Sequence, residues 1–205
     1  MSTFPPKSTF GRLPLWHWLR AAWEVCKSPE CTVRKSTFTP LPRPAIRWID
    51  EGRVALRPFD FDNDADAVCD FQKETYSLNF EDFRYTDTFA RAFRHDLRRA
   101  ALEPNNGLFV LQQHTSNEIT GFLWVIVYQN HWTNEHYGYV NNIYLSPSLR
   151  GRGLARELMA QVDDFFRSRG VRSVRLSVTV SNQAATHLYE SCGFQTTRWE
   201  MEKKL

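Results

Sequence analysis

The stretch Tyr139-Val140-Asn141-Asn142-Ile143-Tyr144-Leu145-Ser146-Pro147-Ser148-Leu149-Arg150-Gly151-Arg152-Gly153-Leu154-Ala155-Arg156 decides how the rest of the chain is read. Its first part is rich in aromatic and β-branched residues and predicts a strand over 137–145. Leu154, Leu158, Val162, Phe165 and Phe166 then recur at helical spacing, and Gly170 stops the pattern, so a helix spans 151–169. Between strand and helix lies an Arg/Gly turn. The first N–H groups of a helix lack partners, and the peptide dipoles leave partial positive charge there. Gly151 and Gly153 let the backbone approach a ligand, while Arg150, Arg152 and Arg156 add full charges. Such a turn is an anion site, and pyrophosphate is its natural guest. A dinucleotide fingerprint would need a third Gly where Arg156 stands, and a P-loop would need G-x-x-x-x-G-K, which is absent. On these residues alone, a plain surface loop stays open as a second reading.

Downstream, Val174, Leu176, Val178 and Val180 alternate with Arg175, Ser177 and Thr179, which predicts a strand over 173–180. Ser181 or Asn182 then caps a helix over 182–192, with Ala185, Leu188, Tyr189 and Cys192 on one face and Gly193-Phe194 at its end. A closing strand is expected at about 197–203. Strand–helix–strand at this spacing is a crossover between parallel strands.

Upstream, residues 53–57 alternate as a first strand. The acids from Asp60 to Asp66 do not form a calcium loop, because Ala65 and Phe71 stand where Gly and a bidentate Glu are needed. They instead suit a helix start, capped by Asp62 or Asn63 and running to about Tyr76. A second helix begins near Asp87 and ends at Pro104-Asn105-Asn106-Gly107. Strands follow over 108–112 and 119–128, joined by a turn at 115–118. The fold class is therefore α/β, a mixed twisted sheet flanked by helices, antiparallel first and parallel later.

Residues 1–49 read as an appendage to a body over 50–205. Residues 13–27 hold Leu15, Trp16, Leu19, Ala22, Trp23 and Cys26 at helical spacing, a short Trp-rich amphipathic helix, and Thr39-Pro40-Leu41-Pro42-Arg43-Pro44 is a polyproline-like linker. That helix suits docking on its own body, on a protein partner or on a membrane surface, and a targeting segment is a further reading. Residues 1–49 carry eight Lys/Arg against two acids, and the remainder 18 against 21. A mildly acidic body speaks against nucleic acid as the partner. Cys26, Cys31, Cys69 and Cys192 show no C-x-x-C spacing, so no metal site and no disulfide are expected. With no apolar run of spanning length and no secretory signal, a cytoplasmic location is expected.

The run Ile143-Tyr144-Leu145-Ser146-Pro147, then Arg150-Gly151-Arg152-Gly153-Leu154-Ala155, then Asn182, Ala185, Tyr189 and Gly193-Phe194 resembles the GNAT superfamily of acyl-CoA-dependent N-acetyltransferases in order and spacing. The resemblance implies that the strand over 139–145 splays from its parallel neighbour and admits the pantetheine arm against the backbone of Ile143, Tyr144 and Leu145. It also implies that the turn from Gly151 to Arg156 takes the pyrophosphate, and that Asn182 contacts the coenzyme arm. Tyr189 matches the tyrosine that gives a proton to the leaving thiolate. The implied reaction is direct attack of an amine on acetyl-CoA as co-substrate, with no protein nucleophile and no metal.

The base is the weak point of the match. Many relatives carry a carboxylate in the central strand, where Asn141 and Asn142 stand here, and relatives of the ribosomal-alanine type carry Glu where Ser177 stands. Glu135, His136 and a water relay through Tyr139 are the substitutes to weigh. A non-catalytic acyl-CoA-binding or adaptor module, docked through the N-terminal extension, therefore stays as the alternative function. Residues 77–85 and 129–137 hold Glu81, Asp82 and Glu135 beside Phe80, Phe83, Tyr85, His131, Trp132 and Tyr137. An acidic, aromatic rim suits a cationic amine. The short tail after Phe194 suggests an open pocket suited to a protein or peptide amine.

Overall fold

The computed structural model describes residues 46–203, apart from residues 81 and 131 and the side chain of residue 78. The Trp-rich segment 13–27, the Pro-rich linker, Glu81 and His131 lie outside the described residues. Within them, six strands form one sheet in sequence order: β1 (Arg47–Ile49), β2 (Val54–Pro58), β3 (Asn106–Gln113), β4 (Ile119–Gln129), β5 (His136–Leu145) and β6 (Val174–Arg175). The helices are α1 (Phe61–Asn79), α2 (Asp87–Leu102), α3 (Leu154–Arg167) and α4 (Gln183–Ser191). Neighbours from β1 to β5 are antiparallel, and β5 and β6 are parallel, with α3 as the crossover. This is the expected mixed α/β sheet.

Side chains alternate across a strand, so each face of the sheet recruits its own helices. Leu108, Val110 and Phe122 form one core cluster with Val68 of α1 and Leu97 and Ala100 of α2. Gly107 instead lies against Phe165 of α3, and Gly138 against Phe166. Leu154, Leu158, Met159, Val162, Phe165 and Phe166 of α3 are all buried, which matches the stripe read from sequence. The β1–β2 turn reaches α3 as well: the Asp50 N–H donates to Glu157 Oε2 at 3.2 Å.

Several boundaries differ from expectation. Asp60, not Asp62 or Asn63, caps α1, its side chain accepting from the Asp62 N–H at 3.1 Å. The helix then runs through Asn79 and absorbs the start of the expected connector. β1, too short to show a period, was not anticipated. The expected strand over 173–180 pairs only at Val174 and Arg175, after which it has no ladder partner among the described residues. The expected closing strand at 197–203 is absent. Trp199 and Met201 are 78% and 92% exposed there, so the alternation has no core to face.

One irregularity sets the geometry of the site. Trp124 pairs with Asn142 but Val125 pairs with Val140, so Asn141 is an extra residue, a β-bulge in β5. The bulge shifts the alternation by one. Tyr137 and Tyr139 share a face with Asn142 and Tyr144, although the numbering changes from odd to even.

Candidate active site

β5 is paired with β4 along its whole length, from Leu145 opposite Gly121 to His136 opposite Gln129. On its other edge it meets β6 only at Gly138 and Tyr139. Over residues 140–145 that second edge has no strand partner among the described residues, which leaves a wedge beside Ile143, Tyr144 and Leu145. The Tyr139 hydroxyl donates to Ser177 Oγ at 3.1 Å and ties the diverging segment back to β5.

At the end of β5 the chain makes a 3-10 turn, Pro147–Leu149, and then the Arg/Gly turn. Gly151 and Gly153 have φ of +73° and +80°, in the left-handed region that favours glycine, and a Cβ at either would meet nothing within 4 Å. The turn is thus a bare backbone surface open to a ligand. No side chain caps α3. The Arg156 and Glu157 N–H groups donate to Gly153 O at 3.0 and 3.2 Å. The N–H groups of Gly151, Arg152, Gly153, Leu154 and Ala155 find no acceptor among the described residues. The Arg156 N–H, expected to face the ligand, is taken by Gly153 O instead. Leu154 anchors the turn in the core.

The arginines divide. Arg152 is ion-paired with Asp50. Arg150 donates from Nε to Leu145 O at 2.8 Å and from Nη2 to Glu74 Oε1 at 3.0 Å. Arg156 is exposed and makes no ion pair with a described residue. Tyr144 is 7% exposed, stacks on Phe71 at 4.4 Å and donates to Glu74 Oε2 at 2.5 Å, so only its backbone is free to face the wedge. Glu74 escaped the sequence reading because an acid on an amphipathic helix carries no period.

Asn182 caps α4, accepting from the Ala185 N–H at 3.2 Å, and its amide donates to Asn79 of α1 at 3.3 Å. Tyr189 is half-buried on α4, edge-on to Phe194 at 5.9 Å, and its hydroxyl bonds to no described residue. Burial pushes its pKa up to about 12.

At the positions expected to hold a base, Asn142 donates to the buried Gln72 of α1, and Ser177 accepts from Tyr139. Glu135 is exposed and accepts from Thr133 Oγ1 at 3.2 Å. The aromatic connector is less of a rim than expected. Phe83 packs on Tyr76 and Phe89 at 5.0 and 4.9 Å, while Phe80 and Trp132 are exposed. A cavity of about 800 Å³ lies elsewhere, lined by Arg57, Phe61, Gln112, Phe165 and Arg169 among others, and includes no residue of β5, the glycine turn or α4. Among the described residues there is no group of three or more His, Cys, Asp or Glu placed to hold a metal, and no helix long and apolar enough to cross a membrane.

A splayed parallel pair with a bare glycine turn at its mouth agrees with a family match: residues 66–194 fit the acetyltransferase (GNAT) family, and the chain belongs to it. It is an N-acetyltransferase by family. The chain is 35% identical over 115 residues to the uncharacterized N-acetyltransferase YycN of Bacillus subtilis, covering 56% of this chain and 72% of that protein. It is 32% identical over 187 residues to the mycothiol acetyltransferase of Thermobispora bispora, covering 89% of this chain and 56% of that one. The chain spans about half the length of the mycothiol acetyltransferases it matches. An acetyltransferase from Clostridium acetobutylicum solved with acetyl-CoA superposes with a TM-score of 0.60 at 17% identity, over 74% of this chain and 96% of that one. The BH1408 protein of Bacillus halodurans gives 0.65 at 16%, over 73% and 99%. At these identities the structures speak for the fold alone.

Proposed function

We propose that the chain transfers an acetyl group from acetyl-CoA to a primary amine by direct attack on the thioester. The observation that carries this reading is the wedge: an edge of β5 with no strand partner among the described residues leads straight into a turn whose five consecutive N–H groups find no acceptor among them. These features fit the donor. The backbone over 143–145 would lie along the pantetheine arm, and the N–H groups from Gly151 to Ala155 would hold the pyrophosphate, with Arg156 adding charge. Acetyl-CoA supplies the activated acyl group. The Tyr189 phenol stays protonated at neutral pH, which suits it to donate to the departing sulfur. Asn182 shapes the site as the cap of α4 rather than through a free side chain.

The acceptor is read as a protein or peptide amine or a small cationic amine. It would approach from the face of β5 that carries Tyr139 and Asn142, on the side of α1. The residues before β1 form a docking extension in this reading, with a protein partner or membrane surface for 13–27, and the sheet from Arg47 onward, which takes in the last three residues of the expected extension, belongs to the catalytic body. The amide and hydroxyl at the base positions favour one alternative, a module that binds acyl-CoA without transfer.

The test is titration of the full chain with acetyl-CoA, followed by thiol release over a panel of amines and peptides. Binding with turnover on some amine is expected. Binding without turnover on any acceptor would favour the non-catalytic module, and absence of acyl-CoA binding would overturn both readings.

A further inference from the structure

Arg150 opens the glycine turn, yet its guanidinium is directed away from the bare backbone. Nε is spent on Leu145 O, the last carbonyl of β5, and Nη2 on Glu74 of α1. The guanidinium also lies over the Tyr144 ring, 5.5 Å from its centroid. Glu74 in turn takes the Tyr144 hydroxyl on its second oxygen. Phe71, one turn earlier on α1, stacks on the same Tyr144 ring. The end of β5 is thus held by α1 through a ring and a carboxylate, and the carboxylate reaches on to the first residue of the turn.

We infer that Glu74 is a positioning residue for the phosphate turn: it fixes Arg150 as a strut between α1, the end of β5 and the turn. The residue lies in neither the coenzyme strand nor the Arg/Gly motif. The proposal rests on the reading of the turn as a phosphate site. Two glycines with positive φ give that turn wide conformational freedom. A strut at its first residue restricts the arc of N–H groups before ligand arrives, and such preorganisation raises affinity by cutting the ordering cost. The hydrogen bond from Tyr144, followed by Arg150, holds the Glu74 carboxyl below its usual range, so it is ionised at neutral pH. In the opposite arrangement Arg150 would leave Glu74 on binding and contact phosphate itself. Removing the carboxylate would then leave affinity unchanged or raise it.

The experiment compares the full wild-type chain with Glu74→Ala and Glu74→Gln by calorimetric titration of two probes, CoA and pantetheine, the second lacking the pyrophosphate. Glu74→Ala is expected to weaken CoA about tenfold, a change of about 1.4 kcal/mol, with pantetheine affinity unchanged. Glu74→Gln, which keeps an acceptor for Tyr144, should fall between the two. Unchanged or tighter CoA binding in both variants overturns the proposal, as does an equal loss for both probes, which would mark a merely structural role. Melting temperatures identify an unfolded variant, and Glu74→Gln then carries the comparison. Failure of the wild type to bind CoA sinks the phosphate-site reading itself. Normal wild-type binding with indifferent variants sinks only the strut.

Discussion

Gly138→Ala tests how α3 is seated under the wedge. A Cβ at Gly138 would sit 2.7 Å from three ring atoms of Phe166, where carbon–carbon contacts settle near 3.5–4.0 Å. Phe166 is 1% exposed and packs edge-on to Phe165 at 5.3 Å, so its ring has no free volume to turn into. About 1 Å must come from separating β5 and α3. Overpacking of this kind costs about 1–3 kcal/mol, or a melting shift of about 3–10 °C for a domain of this size. The strain falls where β5 holds β6: Gly138 is opposite Val174, and its N–H donates to Ser173 O at 2.8 Å. Coenzyme affinity should fall along with stability. Urea unfolding of Gly138→Ala, Phe166→Leu and the double variant, each with and without CoA, gives the cycle. The smaller ring site should relieve the clash, so a coupling of about 0.5–3 kcal/mol is expected. A loss below about 0.5 kcal/mol in Gly138→Ala, or strict additivity in the double variant, would refute the packing argument.

Three further outcomes are expected. Tyr189→Phe should lower kcat by about 10²–10⁴, the range of a general acid, with KM for acetyl-CoA within about twofold, since its hydroxyl holds no described residue; equal loss of binding and turnover contradicts the role. Asp64 is 1% exposed and takes both Nη atoms of Arg57 at 2.8 Å, so Asp64→Asn should cost about 3–5 kcal/mol in urea unfolding, and a loss under about 1 kcal/mol would mean the pair is not desolvated. Tyr128, Tyr144 and Tyr189 are each pushed up to about 12, chiefly by burial. The folded state therefore holds these protons more tightly than the unfolded chain, and stability should be intact below about pH 10 and fall as pH rises toward about 12, read by melting temperature alongside phenolate absorbance.

The sequence was most informative where one element settles its own geometry. The α3 stripe is local, and the structure has it where the pattern put it; of the two residues read as the cap of α4, Asn182 takes that place. Alternation was less reliable. It records which side chains a strand would bury, not whether another strand lies beside it, so residues 176–180 and 197–203 read as strand but have no ladder among the described residues. The bulge at Asn141 was hidden for a related reason. Evens alternate from Val140 to Tyr144 as though unbroken, and only pairing with β4 reveals the extra residue. Glu74 lies 70 and 76 positions from Tyr144 and Arg150, and no window along the chain links them. The glycine turn was legible as a backbone motif, but the side-chain partners around it were not.

Those partners bear on the acceptor. Thioester attack needs a neutral amine, and the residues beside the bulge that could take its proton hold an amide and a hydroxyl: Asn142 with Gln72, Tyr139 with Ser177. Such groups can order a water but are weak bases. The proton must then leave the amine largely before binding, which makes the amine's own pKa the selector. An α-amino group titrates near 7.7–8.0 and a lysine side chain near 10.4, so at about pH 7.5 their neutral fractions differ by roughly 10²-fold or more. A peptide with a free α-amine should therefore exceed its N-blocked, lysine-bearing counterpart by about 10² in kcat/KM. For the α-amine, log kcat/KM should rise with pH to about 8 and then level. Loss of the acid would bend the profile down, but a Tyr189 pKa of about 12 keeps that limb beyond the plateau. A rising limb that ends well below the amine's own pKa would instead report a base on the protein. Equal rates on the two peptides would show that the protein, not the substrate, removes the proton.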